Sequence, residues 1–229
     1  MSKTALIVGA GSGLSAALAR LLTKEGYRCV LAARNLDKLA ALCAETGAQG
    51  MRCDVAAEGE VARMFAQLDG EGSTPSVVVF NPGARVRGPL VDLDPGAVAN
   101  ALAVTAFGGF LVAQEAARRM LKAGGGTIVF TGASASVKGF AQSSVFAMGK
   151  FALRGLAQSM ARELSPQGIH VAHVIIDGGI RSAQRPEPAD KPDSMLSADA
   201  IAETYLHLIR QARNAWSWEI EVRPWVERF

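Results

Sequence analysis

Three glycines fall within five residues where an apolar run gives way to a helical stretch, and this junction constrains the fold more than any other feature. The run Ala5–Val8 leads into Val8-Gly9-Ala10-Gly11-Ser12-Gly13-Leu14-Ser15. Glycine tolerates positive φ and lets the backbone come close to a bulky group. A helix that begins beside it presents free N–H groups and a partial positive charge. A strand, a glycine turn and a helix in that order suit a pyrophosphate; a plain tight turn is the alternative that glycine clusters also serve. The spacing is not GxGxxG, which needs glycine at position 14, where Leu14 stands. Gly9 and Gly13 fit a four-residue spacing instead, with Ser15 where a third glycine would fall.

The rest of the chain alternates short apolar runs with helical periods. Strands are predicted at Ala5–Val8, Arg28–Ala32, Gly50–Cys53, Val77–Phe80, Thr127–Phe130, His170–Ile176 and Glu219–Val222. Most are continuous apolar runs, as expected of strands buried on both faces of a parallel sheet. Leu18, Leu21 and Leu22 follow the turn at helical spacing, with Gly26 as a stop. Leu36, Leu39, Ala40 and Cys43 do the same before Gly47, and Ile201, Tyr205, Leu208 and Ile209 follow Ser197 as a plausible N-cap. The order predicts an α/β chain, a single Rossmann-type doubly wound parallel sheet of about seven strands with helices on both faces. At 229 residues and 49% hydrophobic content, residues 1–229 are expected to form one domain. The stretch Arg181–Leu196, with Pro186, Pro188 and Pro192, follows the strand His170–Ile176. There a lid over a bound substrate or an ordinary surface loop would sit.

The formal net charge is only +3 and the basic residues are interspersed with acidic ones, which argues against nucleic acid or an anionic membrane as partner. The opening Met1-Ser2-Lys3-Thr4 leads into an apolar run too short for a signal peptide or a membrane span. Cys29, Cys43 and Cys53 are odd in number and have no CxxC spacing, so neither a disulfide framework nor a metal site is expected. A cytoplasmic protein is the expectation.

The second strand ends in Leu31-Ala32-Ala33-Arg34-Asn35. A site for NAD(H) usually has a carboxylate here for the ribose hydroxyls, and that carboxylate would repel a 2′-phosphate. Arg34 stands there instead, and a guanidinium matches a phosphate with paired hydrogen bonds. NADP(H) is therefore favoured over NAD(H), a solvated arginine at a helix start being the alternative.

From the glycine turn onward, over almost its whole length, the chain resembles the short-chain dehydrogenase/reductase family, whose turn reads TGxxxGxG. Gly9 and Gly13 keep two of those glycines; Val8 and Ser15 replace the threonine and the last glycine. The resemblance implies cofactor contacts along the turn at Gly9, Gly11, Ser12, Gly13 and Leu14. It also matches Asp54-Val55 to the family's Asp-Val, where the carboxylate binds the adenine amino group; capping the next helix is the other role open to Asp54. Phe80-Asn81-Pro82-Gly83 stands where the family has Asn-Asn-Ala-Gly, so Asn81 and Gly83 match. Asp177-Gly178-Gly179-Ile180 resembles the Pro-Gly-x-Ile turn that holds the nicotinamide carboxamide, with Gly178 and Ile180 kept and the proline lost.

The family's signature is YxxxK on a helix, whose spacing puts both side chains on one face, one turn apart. The lysine holds the nicotinamide ribose and lowers the tyrosine pKa, and the tyrosine moves the proton. Here the stretch reads Phe146-Ala147-Met148-Gly149-Lys150, so the lysine remains and the phenol is gone. The wider spacing of the enoyl-reductase branch reaches Ser143, and the two tyrosines, Tyr27 and Tyr205, lie elsewhere. The family's serine, thirteen residues before the tyrosine, falls at Ala133; Ser134 next door is favoured over Ser136 as a substitute. Its helix asparagine is Thr105 here. The catalytic positions implied are thus Lys150, Ser134, Phe146 and Thr105. Lys150 is open to two readings, as a base with a depressed pKa or as a grip on the ribose alone.

Arg85 and Arg87 follow the fourth strand, where they could meet an anionic substrate or simply be solvated, and His170 and His173 read as structural. Helix Phe146–Leu164 and the helix around Ala106–Leu121 form a dimer bundle in the family, so a homodimer or homotetramer is expected. These readings describe an NADP(H)-dependent oxidoreductase acting on a small carbonyl or alcohol, with a degenerate catalytic tetrad. The alternative is a non-catalytic NADP(H)-binding sensor or scaffold.

Overall fold

The structure is a computed structural model and describes residues 3–227. Seven strands form one sheet: β1 (Thr4–Val8), β2 (Arg28–Ala33), β3 (Gln49–Arg52), β4 (Val77–Phe80), β5 (Gly126–Thr131), β6 (Ile169–Ile176) and β7 (Glu219–Val222). Their order is β3-β2-β1-β4-β5-β6-β7. Every pairing is parallel, Leu6 standing against Val30 on one side and Val78 on the other. The predicted strands are all present, with ends displaced by a residue at most. Between β1 and β4 the winding direction reverses, and a crevice opens there beyond the carboxyl ends of the strands.

The main helices are α1 (Leu14–Lys24), α2 (Ala40–Thr46), α3 (Glu58–Gly70), α4 (Pro95–Leu102), α5 (Gly108–Ala123), α6 (Ser144–Leu164) and α7 (Ala198–Arg210). Strand residues alternate between two cores. Ala5 and Ile7 pack with Leu18 and Leu22 of α1 and Ile201 and Tyr205 of α7. Leu6 and Val8 pack with Phe65 of α3, Val112 of α5 and Leu153 of α6. Because both faces are covered, β1, β4 and β6 are buried at every position. Each large side chain sequestered this way contributes about 1.5–3 kcal/mol of transfer free energy.

Two local features set the site. A π-helical turn, Ala103–Phe107, joins α4 to α5, and such a turn carries one more residue than an α-turn. It leaves Thr105 buried. Helices α5 and α6 also approach closely: a Cβ on Gly109 would lie 2.5 Å from Leu153 Cδ1. The continuous stretch Pro95–Ala123 is long and apolar enough to cross a membrane by length and composition. In the fold, however, Leu111, Val112, Ala116 and Met120 are buried in the sheet core. The stretch is thus the inner helix of a layered α/β structure.

Candidate functional site

A cavity of about 660 Å³ opens at the switch point, walled by the glycine turn, the ends of β2 and β3, and the segment after β4. Gly9 has φ of +75°, and a Cβ there would sit 2.7 Å from Pro82 Cγ, so no side chain is tolerated. Its N–H and that of Ala10 donate to Ala32 O at 2.9 and 3.0 Å, which ties the turn to β2. Beyond them Gly11 and Gly13 face open space, with no heavy atom within 4 Å of a Cβ at either. Ser15, at the position of the lost glycine, donates to Gly9 O at 3.3 Å and accepts from Asn81 Nδ2 at 2.8 Å. A serine here thus fastens the β4 segment to the turn.

At the far end of the cavity stand Arg34, Asn35 and Lys38, and the only carboxylate in the lining is Asp54. Neither Arg34 nor Lys38 is ion-paired among the described residues. Asp54 accepts from Ala56 N at 3.0 Å, while its own N–H donates to Glu60 Oε2 at 2.8 Å. It does not cap α3, whose N-cap is Ala57. Val55 lies buried beneath it against Gly108, where a Cβ would come within 2.9 Å. A close-approach turn, an anion-matched end and an open helix N-terminus fit a nicotinamide dinucleotide.

The cavity continues toward β5 and α6 as an inner pocket of about 400 Å³, lined by Leu14, Lys150, Phe146 and Ala133, and closed by Gly178 and Ile180. Lys150 is 3% exposed, and its Nζ donates to Thr131 O at 2.6 Å. Burial, helped by the Arg85 charge, lowers the Lys150 pKa to about 7. One turn earlier, the Phe146 ring has the Arg85 guanidinium 4.0 Å from its centre and Lys150 Nζ at 5.8 Å. Asn81 and Gly83 line the wall between the two cavities.

Ser134 and Thr105 are placed apart from this pocket. Ser134 lines a third, outer pocket of about 410 Å³, and its hydroxyl bonds the Asp177 carboxylate. Asp177 is buried and also meets Lys138 at 3.3 Å and Arg223 at 3.6 Å. Burial would raise its pKa, but the hydrogen bonds from Ser134 and Lys138 outweigh it and hold the carboxyl below its usual range. Asp177 lines neither the inner nor the outer pocket. Thr105 accepts from Ala84 N at 3.0 Å and packs against α6 at Gly149. Ser136 is fully buried and contacts His173 Nε2 at 3.3 Å. On its other side His173 meets Glu219 at 3.1 Å, and Arg154 grips that carboxylate through two bonds of 2.6 and 2.7 Å. Burial pushes the His173 pKa down to about 4 despite Glu219, so this chain is a neutral structural strap. His170 bonds Ser217 O at 2.9 Å and stacks on Trp216. Tyr205 is buried against Thr131 Oγ1 at 2.8 Å and reaches neither pocket.

Residues 3–190 match the family model described as short chain dehydrogenase. The chain belongs to the short-chain dehydrogenase/reductase family. Among its relatives is a short-chain dehydrogenase from Rhodopseudomonas palustris, whose crystal structure is 36% identical, with a TM-score of 0.84 over 97% of this chain and 99% of that one. A metagenomic short-chain oxidoreductase, solved in complex with NADP, is 28% identical, with a TM-score of 0.83 and 98% of each chain covered. An uncharacterized oxidoreductase of Staphylococcus aureus (strain N315) is 29% identical, with 97% of each chain aligned. As a member of this family, the chain is an oxidoreductase of the kind that uses a nicotinamide cofactor.

Two lining residues escape the sequence reading. Lys38 lies four residues after Arg34 on a short 3₁₀ turn, Asp37–Leu39, and that spacing was its only signal. Arg185 lies in the proline-rich loop after β6, which a parallel bridge between Ile180 and Leu196 pinches closed, and it lines both inner and outer pockets.

Proposed function

We propose that this protein is an NADP(H)-dependent oxidoreductase that interconverts a small carbonyl compound and its alcohol through an altered proton path. The pairing of Arg34 and Lys38 at the end of β2, with Asp54 the one carboxylate among the described lining residues, carries the cofactor preference. Two cations suit a 2′-phosphate, whereas the ribose hydroxyls of NAD(H) would find there only the Asn35 amide in place of the usual carboxylate. Asp54 and Val55 serve the adenine end, the turn from Gly9 to Leu14 the pyrophosphate, and Asn81, Gly83, Gly178 and Ile180 the nicotinamide half. When bound, the nicotinamide supplies or accepts the hydride.

The chain's own residues manage the oxygen. Phe146 and Ala133 form a dry wall where the family has a phenol and a hydroxyl. Arg85, stacked on that wall, presents a permanent positive charge to an oxyanion. Lys150, with a pKa near neutrality, holds or releases the proton, passing it through a water or a substrate group. Loss of the phenol costs roughly 10²–10⁴-fold in rate where nothing replaces it. The absent phenol is the one observation behind a second reading, a sensor or scaffold that binds NADP(H) without turnover.

The protein is read as one domain working in the cytoplasm on a small molecule. Phe107, Phe110, Met148 and Phe151 on the outer faces of the α5 and α6 region are exposed, and Phe107 and Phe110 stack with ring centres 6.2 Å apart. A homodimer or homotetramer covers them, which light scattering on the eluting protein checks. The function is tested by titrating the protein with NADPH and NADH, followed by fluorescence, then measuring NADPH oxidation against a carbonyl panel. NADPH preference with turnover supports the enzyme. Tight binding without turnover supports the sensor. Failure to bind either nucleotide overturns both.

A further inference from the structure

We propose that the substrate of this site is an anion, a small carbonyl or hydroxy compound whose carboxylate or phosphate is seated among Arg85, Arg87 and Arg185. The inference deepens the oxidoreductase reading and rests on its assignment of the inner pocket to the reacting carbon.

The inner and outer pockets share Ala133, Phe146, Gly178, Gly179, Arg85 and Arg185 as common wall, so one molecule can span both. Arg87 joins the outer pocket alone. No Asp or Glu lines either space. None of these arginines is ion-paired among the described residues, although ion pairs hold Arg20, Arg28, Arg119 and Arg154 elsewhere. Three like charges converging without a counter-ion repel one another. The pKa of Arg85 is lowered first by partial burial and then by Arg87 and Arg185. A solvated arginine on a loop avoids such crowding by swinging into water. Arg85 instead lies face-on to Phe146 at 4.0 Å, and the Arg185 guanidinium is close enough to Gly179 that a Cβ there would lie 2.8 Å from Cζ. Both guanidiniums lie against the pocket wall while remaining open to solvent, so a ligand can reach them. Guanidinium forks match carboxylate and phosphate oxygens with paired bonds, so an oxyanion relieves the repulsion and gains several charge-assisted hydrogen bonds. The three come from two separate segments, the loop after β4 and the proline-rich loop after β6. An anion would therefore also draw the second loop down onto the site.

The test uses three aldehydes of one shape: 4-carboxybenzaldehyde, its methyl ester and 4-formylphenyl phosphate. Each is titrated calorimetrically into the protein saturated with NADP⁺, at low and high salt, beside an NADPH titration. The acid or the phosphate should bind at least tenfold more tightly than the ester, and the margin should shrink with salt. Whichever of the two binds more tightly names the anion. Arg87→Gln and Arg185→Gln should each cut the charged ligand's affinity about tenfold while leaving that of the ester within twofold. Arg87→Gln should also leave NADPH affinity unchanged. A charged preference without turnover supports the anion site even where the oxidoreductase reading fails. Equal affinity for acid, phosphate and ester, or binding of none of them by a protein that still takes up NADPH, overturns the anion site and leaves the cofactor reading standing.

Discussion

The two ends of the crevice are built by the same sheet, yet they hold their polar groups in opposite ways. At the β1–β3 end, Ser15, Asn81 and Asp54 each have defined partners, and Arg34 and Lys38, without an ion pair among the described residues, sit where a phosphate is expected. At the β5–α6 end, Phe146 and Ala133 give the wall no hydroxyl, and three guanidiniums, with no acid among the described lining residues, crowd the same walls. The frame of that second end is nevertheless intact. Lys150 is anchored on Thr131, the π-turn packs Thr105 on Gly149, and Gly109 lets α6 lie close on α5. Backbone geometry and close packing resist change because a Cβ in the wrong place shifts whole elements. A hydroxyl on a cavity wall can be lost at little cost to the fold. The backbone frame and the chemistry of the pocket walls can thus vary separately within one architecture.

The most forceful way to break this contrast is to restore the missing groups. Ala133→Ser with Phe146→Tyr should raise turnover on the best carbonyl substrate by roughly 10²–10⁴-fold if the retained frame still presents them correctly. Stopped-flow NADPH oxidation measures it. No gain would mean that the arginine-lined end has been rebuilt for a different proton path. Next in size is the cofactor end: Arg34→Glu should weaken NADPH about 100-fold, some 3 kcal/mol, and NADH by no more than about 3-fold, since only the phosphate loses its partner. Equal losses for the two nucleotides would remove Arg34 from the specificity argument.

A third test concerns Lys150 without any cofactor. Its folded pKa of about 7 lies well below the ordinary lysine value of 10.5, so between those limits the unfolded chain binds more protons. Stability must therefore rise with pH across that window, and the cost of burying the charge is complete below pH 7. Lys150→Met removes that slope. Relative to the parent, the variant should gain about 4 kcal/mol more at pH 6 than at pH 10 in urea melts. A pH-independent difference would mean that Nζ is solvated well enough to keep its ordinary pKa.

The two ends also differed in how far the sequence exposed them. Continuous apolar runs identify the central strands β1, β4 and β6, because burial on both faces leaves no ambiguity about side, whereas the edge strands β3 and β7 mix polar and apolar residues. The glycine turn and Arg34 could be read because their chemistry is tied to a strand end. Lys38 was missed because a lysine on a short exposed turn looks like any solvated lysine. Arg185 carries no periodic signal at all, since its position depends on the bridge from Ile180 to Leu196, sixteen residues away in a loop. Counting back from Phe146 reaches Ala133, but counting cannot show that Ser134 turns to Asp177 while Ser136 turns inward to His173. That choice is made by the extended backbone at Ala133, with φ of −160° and ψ of 172°, followed by a 3₁₀ turn. For Arg85 the sequence left an anionic substrate and plain solvation both open, because its ring partner, Phe146, is sixty-one residues further along.

The smallest effect expected lies at Ser15, where the chain departs from the family's glycine yet the structure makes use of the departure. Its hydroxyl joins Gly9 O to Asn81 Nδ2, one bond on each side. Ser15→Ala removes both, keeps the buried volume nearly unchanged and leaves the Asn81 amide to find water in the crevice. The expected loss is about 1 kcal/mol of stability, since each neutral hydrogen bond nets about 0.5–1.5 kcal/mol and the freed amide is only partly buried. NADPH affinity should fall by only about twofold to fivefold, because Asn81 is fixed also through its N–H to Val8 O at 3.0 Å. Ser15→Gly, the residue the family prefers, should cost more stability than alanine, by about 0.5–1 kcal/mol, because glycine adds backbone entropy to the unfolded chain within the first turn of α1. Thermal melts of the three proteins order these effects. A glycine variant more stable than the alanine one would show that Ser15 crowds the turn, and would place the strain of the departure at the cofactor end that looks intact.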